Sequence, residues 1–184
     1  MRTAILIIDM LNDFFLDGRL KERRKELCEK INELIDWGRQ HNVKPIWVRQ
    51  EFKEDLSDAF LSMRKKGIRK TIEKTEGALT LDELKSNEGD LEIIKKRYSA
   101  FYKTNLEEIL NETRIKQLIF CGINTHACVR MTAIDAFQRD FEIIIATDCV
   151  ESYDEEHHHV TLRYLGKEIA RLLDNDQIMN KDFA

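Results

Sequence analysis

Three residues of this chain have types that do chemistry together: Asp9, Lys95 and Cys128. A thiol attacks carbonyl carbon as its thiolate, a carboxylate can take and return the proton, and an ammonium group steadies the charged forms. Each residue stands just past an apolar run. Asp9 closes Thr3-Ala4-Ile5-Leu6-Ile7-Ile8, and Lys95 closes Leu91-Glu92-Ile93-Ile94. Cys128 falls in the first turn of the segment after Leu118-Ile119-Phe120-Cys121. If Thr125 caps a helix there, Cys128 is its third residue, where the helix N-terminus and a nearby Lys95 favour thiolate over thiol. Each residue also has an ordinary alternative: a carboxylate bonding its own turn, a solvated lysine beside Lys96 and Arg97, a thiol packed as a small hydrophobe. The packing alternative fits Cys28 and Cys121 better than Cys128, and it is the better reading of Cys149.

The elements that must position these groups follow from the hydrophobic pattern. Short, nearly continuous apolar runs at 3–8, 43–48, 91–94, 118–121 and 141–146 read as strands buried on both faces. Between them lie helical patterns. Leu27, Ile31, Leu34 and Ile35 share one face within 20–40; a helix capped by Thr104 or Asn105 covers 106–110; others cover 125–139 and 152–164. Residues 168–172 read as a sixth strand or more helix, and the polar stretch 51–90 carries helical pieces at 56–65 and 79–85. Strands alternating with helices predict right-handed βαβ units and a parallel sheet covered by helices on both faces. In such sheets ligands bind beyond the carboxyl ends of the strands, so Asp9, Gln50, Glu51, Lys95, Asn124, Thr125 and Asp148 all head for one edge.

Composition bounds the partners. The 184 residues suit one domain, 1–184. Lys and Arg number 30 against 34 Asp and Glu, a net charge of −4, which leaves no basic excess for a phosphate backbone and predicts no nucleic-acid partner. No apolar run approaches the ~20 residues of a membrane span. Four separated cysteines with no CxxC pair, and no leader-like segment before the first strand, predict a reducing cytoplasm and no disulfide framework. No GxGxxG or Walker loop follows a strand, which disfavours nucleotide binding.

Three stretches resemble the isochorismatase-like cysteine hydrolases, a family that includes N-carbamoylsarcosine amidohydrolase, ureidoacrylate amidohydrolase and nicotinamidase. They are Ile7-Ile8-Asp9-Met10-Leu11-Asn12-Asp13-Phe14, Lys95-Lys96-Arg97-Tyr98-Ser99-Ala100-Phe101 and Cys121-Gly122-Ile123-Asn124-Thr125-His126-Ala127-Cys128-Val129. The resemblance implies a three-layer α/β/α fold with a six-stranded parallel sheet of order 3-2-1-4-5-6. It implies a catalytic triad of Asp9, Lys95 and Cys128, a cis peptide at Ile123–Asn124, and an oxyanion hole made by the backbone N–H groups of Asn124 and Cys128. The activity it implies is hydrolysis of a C–N bond in a small amide or N-carbamoyl compound through a thioester, without a cofactor, in a homo-oligomer such as a dimer or tetramer.

Departures from the family pattern narrow this. Nicotinamidases usually follow the second strand with an Asp-x-His metal cluster; here the residues are Arg49-Gln50-Glu51-Phe52, and no metal is expected. Isochorismatase proper lacks the nucleophilic cysteine, so Cys128 favours C–N hydrolysis over vinyl-ether cleavage by Asp9 and Lys95 alone. A non-enzymatic oligomerising module that kept the fold is the third reading. Asn124 replaces the small residue usual at its position. Phe14, Trp47, Gln50, Tyr98 and Phe101 are the pocket candidates, and Arg49 is expected in an ion pair. His157-His158-His159 cannot all face one ion from a helix, which predicts a solvated or packing role. His126 is expected at the pocket rim or an interface.

Overall fold

A computed structural model describes residues 2–181. Six parallel strands, β1 (Thr3–Ile8), β2 (Lys44–Gln50), β3 (Leu91–Lys95), β4 (Gln117–Gly122), β5 (Glu142–Val150) and β6 (Arg171–Leu173), form one sheet of order 3-2-1-4-5-6. The helices are α1 (Gly18–Gln40), α2 (Leu61–Lys66), α3 (Leu106–Glu112), α4 (Arg130–Phe137), α5 (Glu155–Glu168) and α6 (Asn175–Met179). Successive residues of a strand point to opposite faces, and β1 is apolar at every position because both faces are covered. Ala4, Leu6 and Ile8 pack with Leu106, Leu110, Ala133, Ala136 and Leu165 of α3, α4 and α5. Ile5 and Ile7 pack on the other side with Leu27, Ile31, Leu34 and Ile35 of α1 and Ile178 of α6. Among the described residues no helix is long and apolar enough to cross a membrane.

The strand order reverses between β1 and β4, so the loops after these two strands part to opposite sides and leave a crevice at the carboxyl edge. The chain leaves β1 at Asp9, whose φ of 53° lies in the left-handed region that Asp tolerates better than most residues. Its N–H still donates to Val48 O at 2.8 Å. On β3 the last residue is Lys95, in register with Gln50 at the end of β2.

Several local expectations change. Residues 79–85 are not helical: Leu11 and Thr80 form an antiparallel bridge and Leu81 N–H donates to Met10 O at 3.0 Å, so long-range backbone pairing wins over local periodicity. The expected helix at 56–65 shortens to α2. The expected 125–139 helix opens as a π-helical turn, Thr125–Val129, before α4. β5 runs on to Val150, so Asp148 lies inside the strand rather than after it, where Oδ2 accepts the Asn175 N–H at 3.1 Å.

Gly122 is the tightest point of the β1–β4 pairing. Its φ is +102°, and a Cβ there would stand 2.0 Å from Ile8 O. Gly122→Ala is expected to cost roughly 3 kcal/mol or more through strain and clash, lowering the thermal midpoint by about 6 °C or more for a chain of this size. Differential scanning calorimetry measures this; an unchanged midpoint would mean the backbone relaxes without cost.

Candidate active site

Asp9, Lys95 and Cys128 meet at the carboxyl edge of the sheet, brought from the end of β1, the end of β3 and the turn after β4. All three are buried, Lys95 at 0% exposure. Its Nζ lies 2.7 Å from Asp9 Oδ2, 3.4 Å from Cys128 Sγ and 3.2 Å from Arg97 O. The ammonium donates hydrogen bonds to the last two and forms an ion pair with the first. Asp9 Oδ1 accepts the Gln50 N–H at 2.8 Å, which fixes the carboxylate plane. Its Oδ2 makes the ion pair but no aligned hydrogen bond among the described residues.

Burial opposes the charge on Lys95, but Asp9 and Cys128 outweigh it and hold the ammonium above its ordinary pKa. Cys128 reverses the expectation drawn from its helical position. Complete burial pushes its thiol well up, the Asp9 carboxylate adds to that, and Lys95 only partly offsets both. A π-turn N-terminus does not compensate for losing water around a thiolate. At neutral pH the resting group is therefore a thiol, and activation requires a base within reach. Cys28, in α1, is pushed up to about 12, chiefly by burial, and Cys149 is also raised by burial.

Cys128 opens on a cavity of about 600 Å³. Phe14, Gln50 and Tyr98 line it as expected, together with Asn124 and His126. Trp47 and Phe101 do not. Trp47 packs in the α1 layer and its Nε1 donates to Asp90 Oδ2 at 3.0 Å. Phe101 is in the opposite core layer, its ring 6.0 Å from that of Phe141. Trp47 lies three residues before Gln50 on β2 and Phe101 closes the Lys95 motif, but strand alternation and the turn after Lys95 aim them into the core. Arg49 forms ion pairs with Glu51 and Glu92. His126 sits on the cavity wall with Nδ1 hydrogen-bonded to Ser152 Oγ, edge-on to Tyr153. His158 is buried, with Nδ1 2.9 Å from Thr125 Oγ1, whereas His157 and His159 are exposed.

The Ile123–Asn124 peptide bond is cis. The loop around it is held by backbone bonds: Ile123 N–H to Ile8 O at 2.9 Å, Thr125 N–H to Glu151 O at 3.0 Å, and Glu151 N–H to Gly122 O at 3.2 Å. The Asn124 carbonyl accepts from Ala127 and Val129, the residues on either side of Cys128. Glu151 was missed at the sequence level. It is 4% exposed and takes Arg19 and Arg23, each at 3.2 Å, anchoring this loop to α1. The available signal was an acid directly after the apolar Cys149-Val150 at a strand end. Phe60, Met63 and Ile68 were missed too; they form the outer cavity wall from the polar 51–90 stretch.

A metal of the nicotinamidase kind does not fit these residues. Glu51 is engaged by Arg49, Gln50 presents an amide, and no group of three or more His, Cys, Asp or Glu among the described residues could hold an ion.

A parallel 3-2-1-4-5-6 sheet with an acid, an amine and a thiol at its switch point defines an isochorismatase-like α/β fold. The chain matches the isochorismatase domain over residues 3–177 and belongs to that family. It is 32% identical over 164 residues to an Arabidopsis thaliana protein described as a probable inactive nicotinamidase, covering 85% of this chain and 84% of that one. An isochorismatase-like hydrolase of Alkaliphilus metalliredigens superposes with a TM-score of 0.85 at 26% identity, covering 97% and 98% of the two chains. N-carbamoylsarcosine amidase of Thermoplasma acidophilum gives 0.79 at 26% identity over the whole of both.

The raised thiol yields a signed expectation. Replacing Asp9 by Asn removes a charge that opposes the thiolate and leaves Cys128 as the anion that Lys95 stabilises and is stabilised by, so the Cys128 pKa falls. The pH midpoint of iodoacetamide alkylation at Cys128, followed by mass spectrometry, is expected to move down by about one pH unit or more. An unmoved or raised midpoint would mean that Asp9 does not act on the thiol.

Proposed function

We propose that this protein hydrolyses the C–N bond of a small amide or N-carbamoyl compound, with Cys128 as nucleophile. The observation that carries the reading is the buried Asp9–Lys95–Cys128 arrangement, whose Cys128 lines a cavity sized for a small molecule. A neutral buried thiol beside a carboxylate suits base-assisted attack rather than a standing thiolate.

Asp9 takes the Sγ proton while Sγ bonds to the substrate carbonyl carbon, and the carbonyl oxygen becomes an oxyanion. The backbone N–H groups of Asn124 and Cys128 hold that oxyanion. As the tetrahedral species collapses, the C–N bond breaks and the proton on Asp9 passes to the departing nitrogen, releasing ammonia or an amine. Water then attacks the thioester, again giving its proton to Asp9. The C–S bond breaks, the acid leaves, and Sγ recovers the proton. Lys95 stays charged throughout, holding Asp9 in place and offsetting negative charge as it moves between oxygen and sulfur. Phe14 and Tyr98 contact the substrate from the cavity wall, and Gln50 contacts it beside the Asp9 carboxylate that its N–H orients.

A solved relative in the family is an amidase of N-carbamoylsarcosine, which supports this class of substrate. The chief rival is vinyl-ether hydrolysis by Asp9 and Lys95, with the thiol a bystander. Ammonia release across a panel of primary amides and N-carbamoyl compounds separates the two. Cys128→Ala is expected to lower kcat by on the order of 10⁴-fold or more, as loss of a covalent nucleophile does. Activity that survives this substitution overturns the nucleophile assignment.

A further inference from the structure

Asn124 carries an amide side chain whose two ends have different fates. Its Oδ1 accepts the Tyr153 N–H at 3.2 Å, which orients the amide. The residue is 8% exposed and lines the cavity that Cys128 opens on. Its Nδ2 has no acceptor among the described residues, yet it is not one of the enclosed polar atoms left without a partner. A cavity-facing N–H₂ group that finds no protein acceptor is free to donate to a ligand, which takes the place of the water that otherwise accepts from it.

The position of this donor narrows its use. The Asn124 backbone precedes the turn that carries Cys128, and its carbonyl is occupied by Ala127 and Val129. Asn124 and Cys128 line one cavity, which brings the amide to the side of the pocket where Sγ attacks. We infer that Asn124 Nδ2 donates a side-chain hydrogen bond to the oxygen of the carbonyl that Cys128 attacks, adding a third donor to the two backbone N–H groups. This rests on the amidase reading above and adds a catalytic residue to it. The bond strengthens as the oxygen gains charge, so it acts on the transition state more than on substrate binding. It also demands an acceptor at the attacked centre, as a carboxamide or ureido carbonyl provides.

Asn124→Asp and Asn124→Ala test this together. Asp keeps the acceptor for Tyr153 N–H but lacks the donor; Ala lacks both and adds no charge. On the fastest amide of the panel, both are expected to lose roughly 10²-fold in kcat with KM changed far less, in line with the loss of one oxyanion donor. A rise in KM alone, or wild-type kcat in either folded variant, overturns the role of Asn124 and leaves the amidase reading standing. A wild-type enzyme that releases ammonia from no amide overturns both. A second measurement avoids dependence on how the variants fold. In the ¹⁵N-labelled Cys128→Ala protein, the Asn124 side-chain N–H₂ signals are expected to move downfield on titration with acetamide. Signals that stay fixed while those of neighbouring cavity residues move overturn the inference.

Discussion

The site is organised by one fully buried ammonium group. Among the described residues Lys95 is the cation in contact with both the carboxylate and the thiol, ion-paired with Asp9 and hydrogen-bonded to Cys128 and a backbone carbonyl. Desolvating an ion pair is expensive unless geometry and hydrogen bonding return the cost, and removing one partner leaves the other charge stranded. That constraint ties the ends of β1 and β3 to the turn after β4. The same surroundings act on lysine and thiol alike: the ammonium is held above its ordinary pKa, and the thiol is pushed up, chiefly by burial.

Around that pair, the sheet does the positioning. Three parallel strands deliver their ends to one edge, and the reversal between β1 and β4 opens the crevice above them. The close approach of Gly122 to Ile8 lets the β4 loop turn over Asp9, and Glu151, held by Arg19 and Arg23, ties that loop to α1. The cavity wall opposite comes from 51–90, a segment with little regular structure. Its Phe60, Met63 and Ile68 give the cavity an apolar side facing the polar floor.

Much of this was legible in the chain. The unbroken apolar runs of β1 and β4 announce strands covered on both faces, and α1 shows its buried stripe at helical spacing. Asp9, Lys95 and Cys128 could be named because each ends a run or follows one. The losses have physical causes. Local periodicity suggested a helix at 79–85, where pairing with residues 10 and 11 holds an extended chain. Trp47 lies in β2 and Phe101 closes the Lys95 motif, but whether either ring faces cavity or core depends on the direction in which the backbone sends it. Glu151 was overlooked because its partners lie in α1, more than a hundred residues earlier.

The amino-acid sequence by itself determined the alternation of elements, the family and the three chemical groups, since these depend on local pattern and residue type. Only the tertiary structure decided what state those groups are in. A thiol near a helix N-terminus reads as a ready thiolate when helix position and a nearby lysine alone are weighed. Enclosed beside Asp9 it is a protected thiol, because desolvation and a facing negative charge together exceed what Lys95 and the turn return. Burial is a property of the whole fold, and it sets the protonation on which the chemistry turns.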